Sequence, residues 1–525
     1  MASVGEVLVQ GLKARGVDTV FGIPGVHTVE LYRGLAGSGI RHVTARHEQG
    51  AAFMADGYAR VSGKPGVAFV ITGPGLLNAL TAMAQAREDS VPILIVSGVN
   101  KRASLGQGLG HLHELPDQGA MVRPLCPSFQ VTAPDVLESV LTRAFAALTT
   151  GRPGPVHIEV PTDVMPLPCP TLTAGFAASA TPAAPDMALV EAAAQRLKSA
   201  KRPVILAGGG TRFAAPNVRA LAERLDAPVV QTTNARGIMF GHPLAVPASP
   251  SLAAVRGLIA ESDQILALGT EFGQTDYDGY GICEMPQLPG MIRVDLCPEQ
   301  LARQQAAIRI CADTASTVDA LLPLLAPHKA DGAARATSTI AAARSEALKL
   351  SPNLLANLEM LDAMRNAVPG AIVVGDSTQP VYAGSLCYDH DRPGGWFNAA
   401  TGFGALGFST GAAVGAALAA PGTPVICLIG DGGLQFSPGE LRTAVDEGLQ
   451  ITYVVWNSAG FKEIADWMLA AKAEVIGCDP SPLKLEPFAA ACDLPFQSVG
   501  VDPEALKSAL IKPTKGPRMI EVRAF

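Results

Sequence analysis

Residues 429 to 461 read IGDGGLQFSPGELRTAVDEGLQITYVVWNSAGF. The apolar run PVICLIG stops at Asp431 between glycines, a helix-like stretch follows, and a second apolar run, ITYVVW, stops at Asn457, Ser458 and Gly460. In open parallel sheets ligands bind beyond the carboxyl ends of strands, where the N–H groups of glycine-rich turns and a helix N-terminus favour phosphate. Gly430, Gly432 and Gly433 are expected to let the chain turn tightly and approach such a ligand, while Asp431 supplies a hard carboxylate. A carboxylate repels a phosphate unless a cation lies between them, and magnesium, which prefers oxygen ligands and commonly bridges protein carboxylates to phosphates, supplies that cation. Asp and Gly are ordinary turn formers, so GDGG alone says little. The second polar strand end, on the same sheet edge, turns the pair into the expected jaws of a metal diphosphate site.

Those jaws need a parallel sheet to hold them. Apolar runs of four to seven residues, each closed by Gly, Pro or Asp and followed by an amphipathic segment, recur in three stretches. The pattern predicts an α/β protein of three doubly wound parallel-sheet domains, over residues 1–170, 188–328 and 352–525. The segments TLTAGFAASATPAAPDM (171–187) and HKADGAARATSTI (328–340) are poor in large apolar residues and read as linkers.

Of the 525 residues 48% are apolar and 17% charged, which suits large buried sheets and a subunit interface. The net charge of −7 and the lack of any Lys or Arg block argue against nucleic acid or an anionic membrane as partner. No apolar run reaches the length of about 18 residues that a membrane helix needs, so a soluble cytoplasmic protein is expected. The nine cysteines are scattered without CxxC or Cys/His pairing and are expected to be reduced.

Taken together these segments resemble the thiamine diphosphate enzymes of the acetolactate synthase and 2-oxo acid decarboxylase type. GDGG followed one strand later by WNSAG is similar to that family's diphosphate motif, GDG followed by a pair of asparagines. RHEQGAAFMADGYAR (46–60) resembles the segment that carries the cofactor-activating Glu, TGPGLLNALTAMAQAREDSVPILIVSG (72–98) the strand and helix after it, and ATGFGALGF (400–408) the turn that grips the cofactor's middle. The resemblance implies thiamine diphosphate and Mg2+ as cofactors, with the first domain pyrimidine-binding and the third diphosphate-binding. It also implies active sites shared between subunits of a homo-oligomer, a dimer or tetramer. It places Glu48 on the pyrimidine nitrogen as the residue that promotes ionisation of the thiazolium carbon. Gly73 and Asn78 fall near the pyrimidine; Ser377, Thr378 and Gln379 on the diphosphate; and Gly404 and Leu406 against the bent cofactor. Metal ligands fall at Asp431, position 458 and the Gly460 carbonyl. Ser458 departs from the family's second Asn, and a hydroxyl is a shorter, weaker ligand.

The cofactor's chemistry is decarboxylation of a 2-oxo acid, followed by protonation to an aldehyde or attack on a second carbonyl. His113 and Glu114, in GLGHLHELPDQ, replace the Phe-Gln pair of acetohydroxyacid synthases and suit proton transfer. The flavin-contacting RFDDR is replaced by TEFGQTDYDGYG, so FAD is not expected. LHELPDQ, GTEFGQTDYD and WNSAGFKEI look most like decarboxylases of 5-guanidino-2-oxopentanoate, with Glu114, Asp276 and Asp278 as candidate carboxylates for a guanidinium. Gly208–Gly210 is a lone glycine triplet, and a middle domain without a nucleotide is expected. The alternatives to a decarboxylase are a carboligating transferase of the acetolactate synthase type and a cofactor-binding scaffold of weak activity.

Overall fold

The apolar runs become strands because their continuous hydrophobicity suits a parallel sheet covered on both faces by helices. In the computed structural model, which describes residues 1–173, 184–279, 281, 283–288, 290–350 and 353–525, the strands form three six-stranded sheets. Every strand pair in them is parallel. The α/β class and the doubly wound architecture are therefore as the sequence predicts.

Across the first sheet the order is Arg41–Thr44, Thr19–Gly22, Gly66–Val70, Ile93–Val99, Val156–Pro161 and Ser128–Gln130. The third repeats this plan with Trp396–Asn398, Ile372–Gly375, Val425–Gly430, Ile451–Asn457, Arg518–Arg523 and Phe496–Gly500. The middle sheet runs outward on both sides from Pro203–Ala207 and Gln264–Leu268. In the outer sheets the order reverses between the first and third strands in sequence. Such a reversal opens a crevice at the carboxyl edge, which is where ligands sit in folds of this kind.

The first and third domains share one hydrophobic core, which includes Phe53, Met54, Phe408 and Val414. At its centre the helix Glu48–Ser62 crosses the helix Phe408–Ala419 almost backbone to backbone. A Cβ on Gly57 would lie 2.0 Å from the Ala412 carbonyl oxygen, and one on Gly415 would lie 1.9 Å from that of Met54. Near the end of the first helix Arg60, itself buried, pairs with Asp56 at 2.6 Å and Asp89 at 2.7 Å.

The expected linker at 328–340 is corrected by the structure. From Gly332 it is helix, Gly332–Leu350, and it docks on the middle domain through His328 N–H to the Arg224 carbonyl and Ala330 N–H to Asp226. The alanines that make the segment look unanchored are strong helix formers. Much of the other expected linker, 171–187, lies outside the described residues. Among the described residues no helix is long and apolar enough to cross a membrane.

Gly57→Ala tests the crossing. In a free helix the change gains about 1 kcal/mol of propensity. Here the methyl group meets a backbone carbonyl, and overpacking of this kind costs about 1–3 kcal/mol. The variant is expected to have a lower thermal midpoint than the parent, the reverse of the propensity effect.

Candidate functional site

The carboxyl edge of the third sheet places two aspartates on neighbouring strands. Asp376 follows Ile372–Gly375 and is fully buried; it accepts the N–H groups of Ser377, Gly407 and Ser409 and the Ser409 hydroxyl. Burial pushes its carboxyl pKa up and those donors oppose the shift. It ties the Ser377–Gln379 turn to the ATGFGALGF turn, which Gln85 holds from the first domain by accepting the Ala405 N–H. Thr378 caps the helix Gln379–Cys387, and Gln379 accepts from the Trp456 indole. Gly404 has φ +76°, which a glycine tolerates best, and Leu406 is half-buried beside it.

Asp431 follows Val425–Gly430 and reaches across to the end of Ile451–Asn457. One of its oxygens accepts the Ser458 N–H at 3.1 Å and lies 3.4 Å from the Ser458 hydroxyl; the other accepts the Gly460 N–H at 3.1 Å. The Ser458 hydroxyl is also 3.1 Å from the Gly460 carbonyl oxygen. Asn457 is occupied elsewhere, donating to Glu521 at 2.6 Å. Burial pushes the Asp431 carboxyl pKa up, against the Ser458 and Gly460 N–H groups.

The Ser458 hydroxyl is thus spaced from an Asp431 oxygen and from the Gly460 carbonyl oxygen much as neighbouring ligands around magnesium, which are about 3 Å apart when each sits near 2.1 Å from the ion. The donor set fits a hard cation. The glycines, however, serve a different end from the tight turn expected of them. Gly430, Gly432 and Gly433 all have ordinary backbone angles and lie at or within a short helix, Asp431–Leu434. What they need is the missing side chain: a Cβ on Gly432 would lie 2.7 Å from the Phe461 ring, and one on Gly433 2.9 Å from Asp376.

The first sheet presents a matching edge. Glu48 opens its helix, half-buried, and accepts from the Asn78 amide at 2.9 Å. The loop before it is held from the third domain: Glu440 accepts the Arg46 and His47 N–H groups. Gly73, at φ +66°, caps the helix that carries Asn78 and donates to Gln118 at 2.8 Å. Gln118 in turn donates to Ser97, the Gly98 carbonyl and Glu159. Beneath it His157, enclosed and pushed down to about 3 by burial, bonds Ser97 and Ser128. Sequence reading passed over Asp376, Gln85, Gln118 and Glu440. Only Asp376, a polar residue closing the apolar run AIVVG, carried a local signal.

The loop before Gln118 separates the two residues expected to move protons. His113 sits at φ +62°, its Nδ1 buried without a partner among the described residues. Glu114 instead accepts the N–H groups of Gly108, Leu109 and His111, which hold its carboxyl pKa below the usual range. The carboxylate thus braces its own loop, and any part in proton transfer or guanidinium binding competes with these three donors. Asp276, half-buried and accepting the Thr233 N–H and hydroxyl, and Asp278, which accepts the Gly281 N–H, belong to the middle domain. They lie in and at the end of the short helix Gln274–Tyr277, after the strand Gln264–Leu268. A cavity of about 440 Å³ is also there, lined by Gly208–Gly210, Arg212, Glu271 and Asp276, and is separate from the Asp431 site.

A three-domain parallel α/β chain with an oxygen-donor site at one switch-point edge and a hydrogen-bonded carboxylate at the corresponding edge of a second domain defines the class of thiamine diphosphate enzymes. Family models bear this out. Those described as the thiamine pyrophosphate enzyme N-terminal TPP-binding domain, central domain and C-terminal TPP-binding domain match residues 2–121, 190–321 and 376–522. The chain belongs to the thiamine pyrophosphate enzyme family. It is 43% identical to a probable 2-ketoarginine decarboxylase, AruI, of Pseudomonas aeruginosa, over 91% of this chain and 86% of that one. It is 31% identical to the acetolactate synthase isozyme 1 large subunit of Escherichia coli, over 99% and 93% of the two chains. With the acetolactate synthase large subunit IlvB1 of Mycobacterium tuberculosis it shares 30% identity, over 89% and 78%.

Glu114→Ala tests the loop brace. Three backbone donors lose their acceptor, so limited proteolysis is expected to cut between residues 106 and 114 faster than in the parent. The global thermal midpoint should change little, because the loop contributes few buried apolar contacts.

Proposed function

We propose that this enzyme converts a 2-oxo acid with a polar, guanidinium-type tail to the aldehyde and carbon dioxide. The observation that carries the reading is His113, a buried ring nitrogen left without a partner on the first domain's carboxyl edge, near the turn that faces Glu48. A proton donor there favours an aldehyde over carbon–carbon bond formation. The similarity to AruI, at higher identity than to the acetolactate synthases, supports the same choice.

Thiamine diphosphate, when bound, supplies the electron sink for the bond to carbon dioxide. The chain's own residues do the rest. Asp431, the Ser458 hydroxyl and the Gly460 carbonyl hold Mg2+, and Ser377, Thr378 and Gln379 line the diphosphate. Gly404 and Leu406 shape the space beside them. Glu48, kept in place by Asn78, holds a proton at the pyrimidine with Gly73 nearby. The substrate is a small 2-oxo acid, and subunits pair as a cytoplasmic homo-oligomer, a dimer or tetramer, so that each site draws on two chains. FAD has no part in the reaction.

Incubation with Mg2+, thiamine diphosphate and a panel of 2-oxo acids, including 5-guanidino-2-oxopentanoate and pyruvate, tests the substrate class. Carbon dioxide and one equivalent of aldehyde from the guanidino acid are expected. Acetolactate from pyruvate as the dominant product would favour the transferase.

The metal assignment has its own test. Asp431→Ala removes the anionic ligand and should weaken thiamine diphosphate binding at fixed Mg2+ by at least roughly 100-fold, the scale of losing a charge-assisted contact of about 3 kcal/mol. Ser458→Asn adds a carbonyl ligand and should tighten binding only modestly, because phosphate oxygens and water complete the shell in either case. Calorimetric titration of both variants decides it, and parent-like affinity in Asp431→Ala would reject the site.

A further inference from the structure

His27, which no sequence motif singled out, lies beside His113. It follows the strand Thr19–Gly22, at the point where the first sheet's order reverses, on a turn held by Gly25 N–H to the Thr28 hydroxyl at 3.2 Å. The His27 and His113 rings meet edge to face, with centroids 5.4 Å apart and planes at 64°. The Nδ1 atoms of both rings, together with the Thr72 hydroxyl, are buried and have no partner among the described residues.

Neighbouring elements hold this arrangement without filling it. A Cβ on Gly98 would lie 2.8 Å from the Thr72 hydroxyl and 2.9 Å from the His27 carbonyl oxygen; one on Gly73 would lie 2.5 Å from the His113 carbonyl oxygen. On the same turn, a Cβ on Gly75 would lie 3.3 Å from Glu48 Oε1, so the turn joins the histidines to the Glu48 edge. Asn100 fixes the loop by donating to the Leu112 carbonyl at 2.9 Å.

We propose that His27 and His113 act as one proton-donating pair that quenches the reacting carbon after carbon dioxide leaves, and that the pair thereby sets the partition between aldehyde and carboligated product. The inference rests on the decarboxylase reading above. The bond to the carboxylate breaks, its electron pair stays on carbon and takes an N–H proton from the pair, and water returns a proton to the imidazole. Overall a 2-oxo acid anion and one proton give an aldehyde and carbon dioxide.

Four other ionisable groups on this edge are engaged. Glu48 is held by Asn78, Glu114 by its loop, and Glu159 by Gln118 and Gln130, while His157 is enclosed between two serines. Burial, and then the neighbouring His113, lowers the His27 pKa.

The first readout needs neither cofactor nor turnover. In cofactor-free protein labelled at histidine Cε1, removing the neighbouring ring in His113→Gln should move the His27 midpoint upward from its parent value, because a like charge is lost. An unchanged His27 midpoint in His113→Gln would overturn the pair.

The second readout is product partition in the loaded enzyme, with an aldehyde present as acceptor. Carbon dioxide release should persist in His27→Gln and in His113→Gln while the ratio of aldehyde product to acyloin falls at least about tenfold, a modest share of what general acids contribute. His27→Phe keeps an aromatic ring at the contact but carries no proton, so it should match His27→Gln; a parent-like ratio in His27→Phe would mean the ring merely packs and would overturn the proposal. Carbon dioxide release with an unchanged ratio would overturn the pair alone. No carbon dioxide from any 2-oxo acid would overturn the decarboxylase reading beneath it.

Discussion

Glu48 is positioned by one constraint: two helices from different domains cross where neither has a side chain to keep them apart. At Gly57 and Gly415 the backbone of each helix occupies the space a Cβ on the other would take. Such contact leaves no room for a side chain at either position, and larger neighbours such as Phe53 and Phe408 pack beside it. The crossing therefore sets how closely the two helices approach. Two polar devices fix its ends. Glu440 holds the loop entering the helix, and Arg60, buried between Asp56 and Asp89 and lying over the Phe397 and Phe408 rings, holds its last turn. A buried pair of this kind adds little net stability over apolar packing, but loss of one partner leaves a stranded charge. Its contribution is geometrical.

The same chemistry, a carboxylate at the start of a turn, takes different parts according to its surroundings. Asp376 spends its oxygens on four donors from three different residues and so acts as an internal brace. Glu114 does likewise for its loop, and Glu440 for the loop before Glu48. Asp431 is the exception, since one of its two donor residues, Ser458, also brings a hydroxyl that lies beside both the carboxylate and the Gly460 carbonyl oxygen. A cation placed there would gain three oxygens at once and would restore the solvation that burial removes from the carboxylate. The comparison separates a candidate ligand from structural carboxylates without reference to sequence similarity.

Much of this was legible in the chain itself. The runs PGVAFVITG, PVICLIG and ITYVVW are apolar throughout, and only a parallel sheet covered on both faces accepts such strands. The three-domain α/β plan and the adjacency of the two polar strand ends follow from that periodicity. The short strands Thr19–Gly22, Ser128–Gln130, Ala245–Val246 and Trp396–Asn398 were not legible, because two to four residues carry no period to read. The Ala-rich segment from Gly332 misled for the opposite reason: its composition allows either a linker or a helix, and docking on Asp226 decides between them.

What the sequence determined by itself is the set of groups whose place is local: Asp431 at a strand end, Ser458 and Gly460 at the next one, Glu48 at a helix start, Asn78 one turn into its helix. The strand-end pattern located Asp431 and the polar end at 457–460, and the resemblance of the surrounding segments to the motifs of the thiamine diphosphate enzymes located the others. Tertiary structure alone decided which groups are free to act. Glu114 and His113 are neighbours in sequence, yet the left-handed turn at His113 sends one carboxylate back onto its own backbone and leaves a ring facing His27, 86 positions away. Whether a polar atom is spent or available depends on every partner within about 3.5 Å, and those partners come from strands that meet only when the sheet has formed.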